Sequence, residues 1–214
     1  IHERIKSKRT LFLVPSLSLI NQTLLEWPAN AGNDFERIVI CSDDSVTHNG
    51  EDHAISSTSD LGIEVTTNPA KVAQFLTKKH TKPIIVFCTY QSSDRVALAQ
   101  KNGAPNFDLV IADEAHRTTG HVESNFATVL DDQKIKSERK LFMTATPRYF
   151  TDRVINKSKK LEYEMASMDN IEKYGPVFHQ LTFGTAIKNG LLSDYQVVII
   201  SASAQEKKMA EEAV

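Results

Sequence analysis

Residues 107–116, Phe-Asp-Leu-Val-Ile-Ala-Asp-Glu-Ala-His, decide how the rest of the chain folds. Leu109, Val110, Ile111 and Ala112 form an unbroken apolar run without alternation. That pattern predicts a strand buried on both faces of a parallel sheet and covered by helices. Asp113 and Glu114 close the run, and placing two carboxylates inside the sheet would cost several kcal/mol in lost hydration. They belong at the carboxyl edge of the strand, where open α/β sheets form their ligand crevices. Neighbouring side chains at a strand end point in different directions. One carboxylate can then hold a divalent cation through its water shell while the other faces a water to be activated, a layout suited to phosphate-ester hydrolysis. A strand that simply ends in solvated acids fits these residues, taken alone, about as well.

On either side of this stretch, strands and helices alternate almost throughout. Leu11–Val14 reads as a first buried strand broken by Pro15 and Ser16. Leu17, Ile20, Leu24 and Leu25 then have the spacing of an amphipathic helix capped by Ser16. Arg37–Cys41 is the second strand, and residues 42–60 form a polar loop rich in Asp, Ser, His and Gly. Ile63–Thr66 is a short strand, Pro69 opens a helix reaching about His80, and Ile84–Cys88 is another continuous buried strand followed by a helix carrying Val96, Leu98 and Ala99. After the acid pair comes a short helical turn, a helix with Phe126, Val129 and Leu130, and a strand over Lys140–Thr146 stopped by Pro147. Leu161–Met165 reads as a short strand, Tyr174-Gly175-Pro176 as a turn, Thr182–Asn189 as a helix ended by Gly190, and Tyr195–Ile200 as a last apolar strand. Residues 1–9 read as the basic end of a helix or a solvated turn, and 205–214 as a charged tail. The alternation predicts an α/β fold, a mostly parallel sheet with helices on both faces.

Composition narrows the function classes. The chain has 214 residues, 41% hydrophobic and 24% charged, with a formal net charge of -2. Any nucleic-acid contact must therefore come from a local patch. Cys41 and Cys88 are the only cysteines, each beside an apolar run. They read as reduced core residues, and with no membrane-length apolar stretch and no signal-peptide pattern they predict a cytoplasmic protein without a membrane partner. The chain begins at Ile1, which predicts a piece of something longer. Cys41, Asp43, Asp44, His48, Asp52 and His53 match no zinc spacing, and a mobile surface loop accounts for them better.

Several predicted strands end in hydroxyl, amide or carboxylate residues: Ser16, Thr89 to Ser92, Asp113 with Glu114, then Thr144 and Thr146. In a parallel sheet these ends share one edge, giving a polar rim suited to phosphate. On these residues the chain resembles the superfamily 2 helicases. Asp113-Glu114-Ala115-His116 resembles their DEAH-type Walker B box and Thr144-Ala145-Thr146 the coupling motif that follows it. Val14-Pro15-Ser16 with Leu19 and Gln22, and Thr89-Tyr90-Gln91-Ser92, resemble two motifs that touch the nucleic-acid backbone. The extension at Arg117 and the stretches Tyr174–Phe178 and Gly190–Tyr195 are most similar to the motor part of restriction-modification enzymes.

The resemblance implies the first RecA-like domain of a P-loop NTPase fold over residues 1–200. Residues 201–214 would then be a tail or linker toward a second RecA-like domain. It implies ATP and Mg²⁺ as cofactors, Asp113 positioning the Mg²⁺ and Glu114 acting as general base. His116, Thr144 and Thr146 would couple the nucleotide to a groove lined by Pro15, Ser16, Gln22, Thr89, Tyr90 and Gln91. The implied partners are DNA, ATP and further domains of a parent protein. The sequence departs from the family in one respect: no G-x-x-x-x-G-K-S/T occurs in it. The expectations are that the isolated chain hydrolyses no ATP at a useful rate, that loss of a central strand leaves a gap in the sheet, and that exposed edges invite self-association. Two rivals remain at this level: a non-catalytic nucleic-acid-binding or scaffolding module, and a metal-dependent hydrolase using the acid pair and the histidines. For Ser16, helix capping alone is the competing role.

Overall fold

The computed structural model describes residues 4–31, 35–42, 65–161 and 164–194, with only the backbone for 28–31 and 159. Five strands pair in parallel: β1 (Arg9–Val14), β2 (Glu36–Ile40), β3 (Ile84–Thr89), β4 (Leu109–Ala112) and β6 (Lys140–Phe142), in the spatial order β2-β3-β1-β4-β6. Between β4 and β6 in sequence, β5 (Gly120–His121) pairs antiparallel with β7 (Met165–Ala166) in a separate small ribbon.

The unbroken apolar runs are the reason the sheet can be covered on both sides. Leu11, Leu13, Ile38, Ile40, Val86, Cys88, Val110 and Ala112 pack into one buried cluster with Val72 and Leu76 of α2 (Pro69–Thr77) and Val96 and Ala99 of α3 (Ser93–Lys101). The alternate residues Phe12, Val14, Val39, Ile85, Phe87, Leu109 and Ile111 pack on the other face with Leu17, Ile20 and Leu24 of α1 (Leu17–Ala31). Each fully buried Val, Leu, Ile or Phe side chain among them contributes about 1.5–3 kcal/mol of transfer free energy. Helices begin where the sequence supplies caps: Ser16 Oγ accepts from the Leu19 amide at 3.4 Å, and Asn68 Oδ1 from the Ala70 amide at 2.9 Å with Pro69 at the first position. Gly103, at φ 93°, ends the α3 turn in a conformation that a side chain disfavours.

Several expectations need correction. Among the described residues the sheet has no gap: β4, the strand of the acid pair, bonds directly to β1 and β6, so a further strand could add only at an edge. The strand expected over Lys140–Thr146 stops at Phe142, because Thr144 and Thr146 turn aside to meet His116. The helix expected around Phe126 is a 3-10 helix, Asn125–Leu130. Of the strand expected over Ile63–Thr66, Ile63 and the residue after it lie outside the described residues, and Val65 bridges Val39 in parallel. Arg4–Lys6 form a turn. Cys41 and Cys88 are buried free thiols. The last apolar strand, the charged tail and nearly all of the 42–60 loop, including Asp43, Asp44, His48, Asp52 and His53, lie outside the described residues.

The chain divides into two compact units, Ile1–Gly175 and Pro176–Val214. The first also holds α4 (Asp152–Lys160) and α5 (Ile171–Tyr174). In the second, α6 (Phe183–Lys188) is capped by Thr182, whose side chain accepts from the Thr185 amide, and the chain leaves it through Gly190 at φ 70°. No helix among the described residues is long and apolar enough to cross a membrane.

Candidate active site

The register of the sheet brings the polar strand ends together. Val14 lies opposite Thr89, Leu13 opposite Ala112 and Ala112 opposite Phe142. Pro15-Ser16, Thr89–Ser92, Asp113-Glu114 and Thr144–Thr146 therefore leave the sheet at one edge. The Asp113 amide still donates to Leu13 O at 2.9 Å, so β1 holds the chain up to the first acid.

The backbone then turns sharply. Glu114 is left-handed, at φ 50° and ψ 44°, a conformation uncommon for a residue with a long side chain. Four hydrogen bonds hold the turn. The Glu114 amide donates to Asp113 Oδ1 at 2.9 Å, and Tyr90 Oη donates to Asp113 O at 2.7 Å. The Arg117 amide donates to Glu114 O at 3.0 Å, and the Ala115 amide to Met143 O at 2.8 Å. The last bond ties the turn to the end of β6.

Beyond the turn, His116 Nδ1 lies 3.2 Å from Glu114 Oε2, 3.0 Å from Thr144 Oγ1 and 3.3 Å from Thr146 Oγ1. The Thr146 amide in turn donates to Thr144 Oγ1 at 3.0 Å. One imidazole nitrogen thus stands within 3.3 Å of the second acid and of both threonines of the neighbouring strand end. The His116 side chain is 14% exposed and that of Glu114 41%.

Asp113 differs from Glu114 in its surroundings. It is half-buried, and among the described residues it has no cationic partner. Loss of hydration pushes its carboxyl above the ordinary value of 3.8; the bond from the Glu114 amide opposes this, and the neighbouring Glu114 charge adds to it. A partly desolvated carboxylate with one oxygen free of described partners is a group that a cation would stabilise. No cluster of three or more His, Cys, Asp or Glu able to hold a metal occurs among the described residues.

The side chains of the six residues expected to line a groove differ widely in exposure. Gln22 is exposed, with its Nε2 on Glu26 Oε1 at 3.0 Å, and Ser16 is half-buried at the head of α1. Pro15 is buried, as is Thr89, whose Oγ1 meets no hydrogen-bond partner among the described residues; the same holds for Gln91 Oε1. Tyr90 is fully buried, its ring stacked on Phe126 with centroids 5.7 Å apart. Burial, and to a lesser degree the Asp113 carboxylate, holds its phenol well above the usual range. A side chain so enclosed, with its hydroxyl already given to Asp113, does not line a surface groove. The signal was present: an aromatic directly after a strand buried along its whole length continues that burial.

A second contact was not legible. Thr118 Oγ1 donates to Ala115 O at 2.8 Å and lies 2.9 Å from Tyr174 Oη, while the Tyr174 ring meets Phe142 edge-on at 5.0 Å. The two ends of the segment 113–118 are thus each met by a tyrosine hydroxyl.

Comparison with known proteins gives this geometry a relation. The family described as "Type III restriction enzyme, res subunit" matches residues 1–149, which include β1, the acid turn and the His116–Thr144 contact. The chain belongs to this family. A probable helicase of African swine fever virus (isolate Tick/South Africa/Pretoriuskop Pr4/1996) is 31% identical over 204 residues, covering 91% of this chain and 19% of the viral protein. The corresponding protein of isolate Pig/Kenya/KEN-50/1950 is 30% identical over the same length. The chain spans about a fifth of the length of these curated relatives. Among solved structures, the Type ISP restriction-modification enzyme LlaBIII, described as ATP-dependent and bound to DNA, matches at a TM-score of 0.69 and 32% identity over 91% of this chain and 13% of its own. A nuclease-deletion mutant of the Type ISP enzyme LlaGI, in complex with a DNA substrate mimic, matches at 0.66 and 32%, over 88% and 14%. This chain thus has an α/β fold like that of the helicase-type parts of restriction-modification enzymes.

Proposed function

We propose that this chain is the first RecA-like domain, over residues 1–200, of an ATP-driven motor acting on DNA, with residues 201–214 leading toward a second such domain. The observation that supports this reading best is the acid turn itself. Two carboxylates at the tip of a buried parallel strand sit in different environments, and His116 connects the second to the hydroxyls of Thr144 and Thr146.

The division of labour follows from those environments. Asp113, half-buried and partly desolvated, would hold a nucleotide-bound Mg²⁺, which when bound offsets the phosphate charge. Glu114, its side chain 41% exposed, is the group able to face water, orient it and accept its proton. His116 holds the Glu114 carboxylate through Nδ1, and a shift of Thr144 or Thr146 would reach Glu114 through that one ring. The Ser16 hydroxyl and the backbone at the tips of β1 and β3 suit contacts to nucleic-acid phosphates, which position a strand without reading it.

The 214 residues contain no G-x-x-x-x-G-K-S/T, so this chain alone is expected to turn over no ATP. The test uses the complete gene product that carries the chain. DNA should raise its phosphate release from ATP, and Glu114→Gln should abolish that release while the protein stays folded. Undiminished release in Glu114→Gln would remove the assignment of the general base, and no release from the wild type would remove the motor reading.

A further inference from the structure

We infer that Tyr90 is a positioning residue: its hydroxyl fixes the Asp113–Glu114 peptide unit and through it the direction of the Glu114 carboxylate. The peptide between the two acids is held at both of its polar ends. Its carbonyl, Asp113 O, accepts from Tyr90 Oη at 2.7 Å, and its amide, Glu114 N, donates to Asp113 Oδ1 at 2.9 Å. With that plane fixed, the next backbone rotation is φ of Glu114, which stands at 50°. A left-handed residue persists only where its surroundings over-determine it. If the plane were free to rotate, Glu114 could relax toward the right-handed or extended region and its carboxylate would leave His116.

The origin of this hydroxyl gives the contact its significance. Tyr90 begins the 3-10 turn Tyr90–Ser92 at the tip of β3, and α3 follows directly. Tyr90 O accepts from Ser93 Oγ at 2.7 Å, and Ser93 Oγ lies 2.9 Å from Asn125 O, so the backbone carrying Tyr90 is itself held from below. The ring is enclosed and stacked on Phe126. A displacement of the Thr89–Ser92 tip, which stands on the same sheet edge as Ser16, would be transmitted to the acid turn through a single rigid side chain. The structural part of this inference is independent of the proposed function; its catalytic part rests on it.

Tyr90→Phe separates the hydroxyl from the ring, because the stack on Phe126 and the buried volume remain. Amide hydrogen exchange of the 214-residue chain is the first readout. Exchange at Glu114 should quicken by about tenfold, the effect of roughly 1.4 kcal/mol lost locally, while amides of β1, β3 and β4 keep their protection. Unchanged exchange at Glu114, or an equal loss of protection across the sheet, would overturn the inference. The second readout is steady-state ATP hydrolysis by the complete gene product with DNA. There kcat should fall by about ten- to a hundredfold, as expected for a misdirected catalytic group, with KM for ATP within about twofold of wild type. An unchanged kcat in an active protein would overturn the catalytic part. A wild type that hydrolyses nothing would remove the proposed function and that catalytic part together, and the exchange result would then decide the structural part alone.

Discussion

At the scale of single residues, burial acts on the first acid of the turn. Asp113 is held above its ordinary carboxyl value chiefly by lost hydration. A carboxyl raised in the folded state binds its proton more readily there than in the unfolded chain. Its charge therefore weakens the fold once the pH lies above the raised value, and that penalty fades as the pH falls toward 3.8 and below. Asp113→Asn keeps an oxygen for the Glu114 amide and removes the charge. Thermal melts should show the variant more stable than wild type at pH 7, with the difference shrinking as the pH is lowered through the carboxylate range. A variant less stable at pH 7 would mean that the charge has a stabilising partner. Such a penalty is typical of a group retained for function at some cost to stability. The position of the two acids at a strand tip was legible in the sequence, since two adjacent acids after Leu109–Ala112 have few places to go. It did not indicate that Glu114 would be left-handed, because that conformation comes from hydrogen bonds supplied by β6 and by Tyr90, distant in the chain.

At the scale of elements, local signals were legible and tertiary ones were not. Ser16, Pro69 and the Thr182…Gly190 pair marked helix ends through chemistry that acts within a few residues, and the helices begin or end there. The length of β6 depends instead on His116, which draws Thr144 and Thr146 out of the strand. The role of Tyr90 likewise depends on where β4 ends relative to β3. Tyr174 is the counterpart at the far end of the acid segment, joining α5 to Thr118 and, by its ring, to Phe142 of β6. Tyr174→Phe keeps the ring contact and removes the hydroxyl. Denaturant unfolding should register a loss of about 1 kcal/mol, the usual worth of one hydrogen bond. No loss would indicate that the Thr118 hydroxyl is satisfied by its bond to Ala115 O alone.

At the scale of the whole molecule, alternation of apolar runs with helical spacing was enough to predict a mostly parallel sheet covered on both faces, and two buried clusters on opposite faces of that sheet are what the chain forms. The order of the strands was not available from that pattern, which is why a central gap was expected where the sheet is continuous. What unites the strand tips is register: β1, β3, β4 and β6 run the same way, so the polar residue after each one reaches a common edge. A motor site at that edge requires the two acids to act differently on a metal-bound nucleotide. The direct measurement is ATP affinity of the complete gene product with and without Mg²⁺, for wild type, Asp113→Asn and Glu114→Gln. Asp113→Asn should lose the Mg²⁺-dependent part of the affinity, weakening binding by about tenfold or more. Glu114→Gln should retain that part and still fail to turn ATP over. Mg²⁺-dependent binding as strong in Asp113→Asn as in wild type would contradict the placement of the cation at the tip of β4.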